Sequence, residues 1–169
     1  PDSIYEEPIN DQEDLLGIVN PSLKRPFDVR EVISRIADGS RFEEFKPLFG
    51  PTIICGFMKI HGHTVGVLGN NGSLFPDSSQ KAAHFIQLCN QISIPLVFLQ
   101  NITGFNIGKE FEQNGSIKKG AQMLNAVSNS EVPHLTVILG NSYGAGTYAM
   151  SGREFGNAFT FLWPTAKIA

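Results

Sequence analysis

The sequence predicts an α/β fold in which a buried sheet is covered by helices. The apolar runs Pro95 to Gln100 and Leu135 to Gly140 suit buried strands, and the first has no polar alternation at all, as expected for a strand covered on both faces. From Thr52 onward, strand patterns alternate with amphipathic helix patterns. Both apolar runs also end in loops that contain glycine, where α/β proteins bind ligands. A dinucleotide fold is excluded, because no G-x-G-x-x-G follows the first strand.

The composition fits one globular domain. The chain has 169 residues, 41% of them hydrophobic, and a net charge of −3, so it lacks the basic surface typical of nucleic-acid binding. No apolar run approaches the roughly 20 residues that span a bilayer. We expect no signal or transit peptide, and a chain cut at both ends. Cys55 and Cys89 lie in an apolar strand and an apolar helix, which indicates buried thiols.

The first 20 residues are acidic and contain prolines, which predicts a solvated linker before a domain over residues 21–169. A helix is expected to begin at Asp28, which with Glu31 forms a capping-box pattern. Gly39 is expected to close this helix. Ser40 and Glu43 repeat the pattern, which predicts a second, shorter helix through Phe45. The apolar stripe of the first helix comprises Val29, Val32, Ile33 and Ile36.

Two strands are expected near Ile53 to Ile60 and Thr64 to Asn70. The sequence His61-Gly62-His63 joins them and predicts a hairpin turn, in which Gly62 is free to adopt a positive φ. Two histidines around one glycine also suggest a metal site. No cysteine, aspartate or further histidine stands at ligand spacing, so solvated turn histidines and no metal are the prediction.

The remaining elements follow from apolar spacing. Helices are predicted from Asp77 to about Ile92 and from about Ser116 to Asn129, and a last strand from Ala158 to Trp163. His84 lies beside the apolar stripe of the first of these helices, which suggests a boundary position. The inner face of the second is expected to comprise Ile117, Ala121, Leu124 and Ser128.

The stretch after the strand at 135–140 carries the strongest functional signal. A strand that passes through small residues into a helix presents free backbone N–H groups, which hold an oxyanion or a polarised carbonyl. Gly144, Ala145 and Gly146 leave the main chain open to a ligand. A second loop, at Gly104 and Phe105, could aim its N–H groups into the same cavity. The alternative is a tight strand-to-helix turn that needs small residues only for packing.

A serine hydrolase is a further alternative. Gly140, Ser142 and Gly144 match G-x-S-x-G, in the strand-to-helix context that a nucleophile elbow requires. In hydrolases of that type the acid and the histidine follow the serine. After Ser142 the chain has one carboxylate, Glu154, and no histidine. A truncated hydrolase is therefore the weaker hypothesis.

Five separated motifs resemble the carboxyltransferase (β) subunits of methylcrotonoyl-CoA carboxylases, which belong to the biotin-dependent acyl-CoA carboxylase family. The resemblance runs from about Leu16 to the last residue. The motifs are RPFDVREVI at 25–33, GNNG at 69–72, HFIQLC at 84–89, FLQNITGF-x-x-G at 98–108 and SYGAG-x-Y-x-M at 142–150.

The resemblance implies a crotonase-like fold of ββα repeats and the C-terminal half of such a subunit, truncated at its C-terminus. It assigns the backbone oxyanion hole to Ala145 and Gly146, and the biotin pocket to Gly104, Phe105, Tyr143 and Gly144. Biotin would be carried on a partner subunit. Carboxybiotin would deliver CO2 to the γ-carbon of 3-methylcrotonoyl-CoA, a reaction of leucine catabolism, with backbone donors and no acidic, histidine or metal catalyst.

The implied partners are an acyl-CoA substrate, the biotin-carrying α subunit, the missing N-terminal half and further copies of the subunit, with neither nucleic acid nor membrane. The implied compartment is the mitochondrial matrix in a eukaryote and the cytoplasm in a bacterium. Thr103-Gly104-Phe105 fits the methylcrotonoyl or geranoyl type better than the propionyl type, which usually has Pro-Gly-Phe. The fragment is expected to be inactive alone, and a non-catalytic assembly module of the same fold stays an alternative.

Overall fold

The computed structural model describes residues 5–12, 28–72, 74–102, 116–142, 158–162 and 167–168. Within these residues, a seven-stranded mixed sheet forms the centre. Its strands are β1 (Glu43–Phe45), β2 (Ile53–Ile60), β3 (His63–Asn70), β4 (Leu96–Ile102), β5 (His134–Ser142), β6 (Ala158–Leu162) and β7 (Lys167–Ile168). The helices among the described residues are α1 (Val29–Ile36), α2 (Pro76–Gln91) and α3 (Ser116–Ser128), with a 3-10 turn at Asp38–Ser40.

The sheet order runs from β1 to β6 in sequence order, and β7 pairs with β5. β2 is antiparallel to both of its neighbours, β1 and β3, whereas β3, β4, β5 and β6 run parallel to one another. The five strands expected from the apolar patterns are therefore confirmed. β7 and β1 were not anticipated.

The predicted hairpin between β2 and β3 is confirmed. Ile60 pairs with His63, which leaves a two-residue loop of His61 and Gly62. Both loop residues have positive φ, 48° and 79°. This is the combination that a type I′ turn requires, and its twist matches that of the strands it joins. The turn therefore fixes the register of the hairpin.

The predicted second helix after Gly39 is wrong. Residues 38–40 form a 3-10 turn, and Glu43–Phe45 is the edge strand β1, which pairs with β2. The hydroxyl of Ser40 accepts hydrogen bonds from the backbone N–H groups of Ile9 and Asn10, and donates to the carbonyl of Ser34. Ser40 is therefore bonded to earlier parts of the chain and does not cap a following helix.

The start of α1 is confirmed, and its end lies earlier than predicted. Asp28 is the N-cap and accepts a 2.9 Å hydrogen bond from the backbone N–H of Arg30. The carboxylate of Glu31 pairs with Arg35, one helical turn on. The helix ends at Ile36, where the backbone N–H of Ala37 bonds to Ile33, and Gly39 lies in the following turn with a φ of 59°.

Two apolar cores lie on opposite faces of the sheet. α2 and α3 cover one face, where they pack against Leu96 and Phe98. α1 covers the other, where it packs against Val97 and Leu99. β4 is thus covered on both faces, as its unbroken apolar sequence predicted.

The inner face of α3 differs from the prediction. The buried side chains are Met123, Ala126 and Val127, whereas Leu124 is half-buried and Ser128 is exposed. The side chains of Ile117 and Ala121 lie outside the described residues. The predicted face is rotated about the helix axis relative to the observed one. The prediction followed the spacing of Ile117, Ala121, Leu124 and Ser128 and left out Met123.

Residues 5–12 run along the surface and contact the 3-10 turn and the hairpin. The ring of Tyr5 stacks on His61 at 4.3 Å, and Glu6 forms an ion pair with Arg41. The boundary expected at residue 20 lies outside the described residues and stays a prediction. Within the described part of the chain, each helix is too short or too polar to cross a membrane.

Candidate functional site

The carboxyl ends of three parallel strands meet at one edge of the sheet. β3 ends at Asn70, β4 at Ile102 and β5 at Ser142, and the register confirms that all three point the same way. In α/β proteins this edge is where ligands bind. The two loops that contain glycine therefore begin at the same edge, as the sequence predicted.

Ile102 and Ser142 are direct neighbours across β4 and β5. Two residues earlier in β4, Gln100 pairs with Ile138. Between these two pairs, β5 has two more residues than β4, so the register shifts between Gln100 and Ile102. Irregularities of this kind re-aim the chain next to active sites. The shift brings the starting points of the two loops level with each other.

The end of β5 is supported on both sides. Asn141 and Ser142 also pair with Lys167 and Ile168 of β7. Ser142 is therefore a strand residue between two neighbouring strands, and the position from which the second loop departs is fixed by three strands.

The predicted site residues themselves lie outside the described residues. They are Gly104, Phe105, Tyr143, Gly144, Ala145 and Gly146. The structure brings together the strand ends that lead into both groups. Their roles stay predictions.

The turn after β3 has a structural role that the sequence reasoning did not detect. The side-chain carbonyl of Asn71 accepts a 2.7 Å hydrogen bond from the backbone N–H of Val29, and its amide donates to Asp28 at 2.9 Å. Asn70 is buried and donates to the carbonyl of Gly72 at 3.0 Å. Asn71 thereby ties the first turn of α1 to the carboxyl edge of the sheet, while Asn70 bonds within the turn itself.

The charge at the start of α1 is stabilised by the same contacts. Partial burial opposes ionisation of Asp28, but hydrogen bonds from the backbone of Arg30 and from Asn71 outweigh it and lower the pKa of this carboxyl. Arg30 in turn binds both carboxylate oxygens of Glu44 on β1, at 2.6 and 2.8 Å. α1 is therefore anchored to two strands by polar contacts. An asparagine directly after β3 is a sequence signal for a polar contact here, but it does not identify Asp28 and Val29 as the partners.

The hydrolase hypothesis receives no support from the described geometry. A nucleophile elbow places its serine on a strained turn beyond the strand. Ser142 instead pairs with Ile102 and Ile168 inside the sheet. Nor does any histidine of the chain, all four being described, lie at the carboxyl edge: His61, His63 and His134 lie at the opposite edge, and His84 lies in α2.

The described part of the chain contains no group of three or more His, Cys, Asp or Glu residues that could hold a metal ion. His61 is exposed in the turn and His84 is exposed on α2. Cys55 and Cys89 are buried free thiols, as expected. Burial raises the pKa of Cys89 to about 12, so this thiol is protonated at neutral pH.

The whole chain, residues 1–169, matches the carboxyl transferase domain family. It is 59% identical over 169 residues to the probable methylcrotonoyl-CoA carboxylase beta chain, mitochondrial, of Drosophila melanogaster, covering 29% of that protein. It is 54% identical over 164 residues to the probable biotin-dependent acyl-coenzyme A carboxylase beta2 subunit of Mycobacterium tuberculosis, covering 96% of this chain and 31% of that protein. This chain spans about a third of the length of these relatives.

Among solved structures, the chain is similar to the beta subunit of the Pseudomonas aeruginosa geranyl-CoA carboxylase. The TM-score is 0.95 at 49% identity, with 100% of this chain and 33% of that chain covered. The expected crotonase-like fold is thereby confirmed.

Proposed function

The chain belongs to the carboxyl transferase domain family, and from that premise we propose that it forms the C-terminal half of the carboxyltransferase subunit of a biotin-dependent acyl-CoA carboxylase. Its task is to transfer CO2 to the γ-carbon of 3-methylcrotonoyl-CoA, a step of leucine degradation. The 59% identity to a relative named for that substrate supports the choice.

The observation that carries the proposal is the pairing of Ile102 with Ser142. Two loops that leave one sheet edge from adjacent positions can surround a single planar ligand group. Because β7 also holds Ser142, the starting point of the second loop is rigid. Catalysis by preorganised backbone donors needs such rigidity, since the donors must not reorganise when charge develops.

In this proposal the backbone N–H groups of Ala145 and Gly146 form the oxyanion hole. Gly104, Phe105, Tyr143 and Gly144 line the pocket for the biotin ring. Biotin, carried by a separate subunit, would supply the carboxyl group. The contribution of this chain is to bind and orient the ring and to stabilise negative charge on its ureido oxygen.

The proposed partners supply the components of the reaction that this chain does not provide. These are the acyl-CoA, the biotin-carrying α subunit, the N-terminal half of the subunit and further copies that form an oligomer. The mitochondrial matrix is the compartment proposed for a eukaryotic source, in line with the Drosophila relative, and the cytoplasm for a bacterial one.

A geranoyl-CoA substrate is the second candidate. It is favoured by the 49% identity and TM-score of 0.95 with the geranyl-CoA carboxylase beta subunit. Steady-state kcat/KM of the full-length enzyme for methylcrotonoyl-, geranoyl- and propionyl-CoA separates the substrates. We expect methylcrotonoyl-CoA to give the highest value, and a higher value for either of the other two would overturn the choice.

Two substitutions in the full-length enzyme test the backbone mechanism. Gly146→Val crowds the approach to the main chain and disfavours any positive φ, so it should abolish biotin-dependent carboxyl transfer. Ser142→Ala removes a hydroxyl that the mechanism does not use, so most of kcat should remain. The dissociation constant of the acyl-CoA should change little in either variant, because most of that site lies on the other half.

The same pair of variants distinguishes the hydrolase. A serine nucleophile predicts the opposite order, with Ser142→Ala inactive and Gly146→Val less affected. An inactive Ser142→Ala enzyme that still folds and binds acyl-CoA would refute the backbone mechanism. Labelling of the wild-type chain by a serine-directed fluorophosphonate would point the same way.

A further inference from the structure

A cavity of about 500 Å3 lies between α2, α3 and the segment that follows β1. This volume is typical of small-molecule sites, which span roughly 300–1,000 Å3. We refer to it as the α2–α3 cavity. Its lining carries two lysines, a histidine and four side-chain amides, and no acidic residue among the described residues. The lining residues are Lys46, Phe49, Gln80, Lys81, Ala83, His84, Gln87, Gln122 and Asn125.

The backbone conformation of Lys46 and two contacts of its side chain place this residue at the cavity. Its φ is 47°, a conformation that few residues other than glycine adopt and that clusters at functional sites. The Nζ atom donates to Nδ1 of His84 at 3.1 Å and lies 5.2 Å from the centre of the Phe45 ring. The ammonium group is thus positioned by the neighbouring side chains.

Lys81 adds a second, buried amine. Its exposed fraction is 1%, and Nζ donates a 2.8 Å hydrogen bond to the carbonyl of Ile53. An ammonium group has three N–H donors, and the ion pairs formed by the described residues do not include Lys81. Burial lowers the pKa of Lys81. The carboxylates of Glu44 and Asp77 oppose that shift without forming an ion pair with Lys81, so an anion beside it would stabilise the buried charge further.

Another cavity among the described residues shows that charged lining residues of basic type alone are not a general property of this surface. That cavity has a volume of about 260 Å3 and lies beside the hairpin. Asp38 and Glu43 line it together with Arg41 and Lys59. Its lining thus carries charges of both signs, whereas the charged residues that line the α2–α3 cavity are all basic.

We propose that the α2–α3 cavity binds an oxyanion, the phosphate or carboxylate group of a small molecule. Lys46 and His84 bind it at the cavity mouth, and the amides of Gln80, Gln87 and Gln122 supply further hydrogen bonds. Charge-assisted bonds of this kind are the stronger class of hydrogen bond. The proposal does not depend on the carboxyltransferase assignment, because the cavity lies on the helical layer and not at the strand ends.

Titration of this chain with inorganic phosphate, and in a second arm with succinate, tests the site. The buffer is matched in ionic strength with chloride, and binding is followed by 1H–15N NMR. We expect saturable shifts confined to α2, α3 and the segment around Lys46. The arm with the tighter binding identifies the preferred oxyanion. Shifts that stay linear, or that spread over all basic surfaces, would show an adventitious ion only and overturn the proposal.

Matched variants make the test specific. Lys46→Gln should weaken binding roughly tenfold, the value of one charge-assisted hydrogen bond. Lys59→Gln removes the same charge at the other cavity and should leave the affinity unchanged. Gln122→Glu, at an exposed position of α3 that the core does not use, introduces a carboxylate into the lining and should abolish binding. Equal effects of Lys46→Gln and Lys59→Gln, or undiminished binding by a folded Gln122→Glu chain, would refute the site.

Discussion

Gly69 lies directly against Val29. A Cβ atom on Gly69 would stand 2.6 Å from Cγ2 of Val29, a distance that real side chains essentially never show, and 3.0 Å from Cγ1. Because Gly69 has no side chain, α1 can approach β3 closely at this position. Asn71 then bonds the backbone N–H of Val29 at the same place.

Gly69→Ala should destabilise the chain by about 1–3 kcal/mol, as overpacking of a core usually does. Chemical denaturation of the single variant measures this cost. The control is the double variant Gly69→Ala/Val29→Ala. Removing both Cγ atoms leaves the Cβ of Val29 at 3.4 Å, an ordinary contact. The double variant should therefore lose less stability than the sum of the losses of Gly69→Ala and Val29→Ala measured separately. Strict additivity would contradict the proposed contact.

Stability should fall as the pH drops below about 6.5, the ordinary pKa of histidine. His134 is buried against the ring of Phe98, and burial lowers its pKa, a shift that the backbone of Val132 opposes in part. Below the ordinary pKa the unfolded chain binds more protons than the folded chain, so protonation favours unfolding.

Urea denaturation of wild type and His134→Gln between pH 5 and 8 measures this effect. The free energy of unfolding should depend less on pH in the variant. His63→Gln, at the exposed first residue of β3, is the matched control and should keep the wild-type slope. A His134→Gln chain with an unchanged slope would show that other groups carry the acid sensitivity.

The two thiols should resist modification while the chain is folded. Burial raises the pKa of Cys55 and of Cys89, and a thiol reacts as the thiolate. At pH 8 an aryl disulfide reagent should modify them roughly 10²-fold or more slowly than an accessible thiol, through opening of the structure. Ser128→Cys, on the exposed side of α3, provides that accessible thiol. Rapid labelling of Cys55 or Cys89 in buffer would contradict the packing described for this core.

The isolated chain should show no carboxyltransferase turnover. Loss of one oxyanion-hole donor typically lowers a rate by about 10²–10³, and this chain lacks the half expected to hold the thioester. The measurement is carboxylation of methylcrotonoyl-CoA by the purified chain with carboxybiotin as donor. Product above the uncatalysed background would show that this half suffices.

We expect the isolated chain to self-associate. Leu48 is 96% exposed, and Phe75 is 38% exposed. Apolar surface of this kind marks interaction sites when it is contiguous. Sedimentation velocity should show oligomers that decrease on Leu48→Gln substitution. A monomer at high concentration for both chains would leave the exposed leucine without a role in association.

Local patterns in the sequence were sufficient for most of the fold. The cap at Asp28, the turn at His61 and Gly62 and the unbroken apolar run of β4 each depend on neighbouring residues, and all were predicted correctly. β1 was missed because Ser40 and Glu43 satisfy a local helix-start rule, while the pairing of Glu43–Phe45 with β2 decides the outcome. Pairing with a distant strand overrides local propensity, and a single sequence does not display it.

The candidate site was likewise predicted from the sequence only in part. That both loops leave one edge follows from the parallel order of strands and helices, and was predicted. The register shift between Gln100 and Ile102 was not, since no residue type signals it. The anchoring role of Asn71 was also missed, because its partners Asp28 and Val29 lie far away in the chain.

The hairpin and the functional edge differ in the order in which they can assemble. β2 and β3 close across two residues, whereas β4 and β5 meet only after the intervening helix α3 has been placed. Closing the longer loop costs more chain entropy, and pairing between distant segments slows folding. We expect β5 to dock late and to exchange its amide protons earlier than the hairpin does. A ligand that requires both loops therefore binds the completely folded chain, and its binding energy adds to the stability of that state alone.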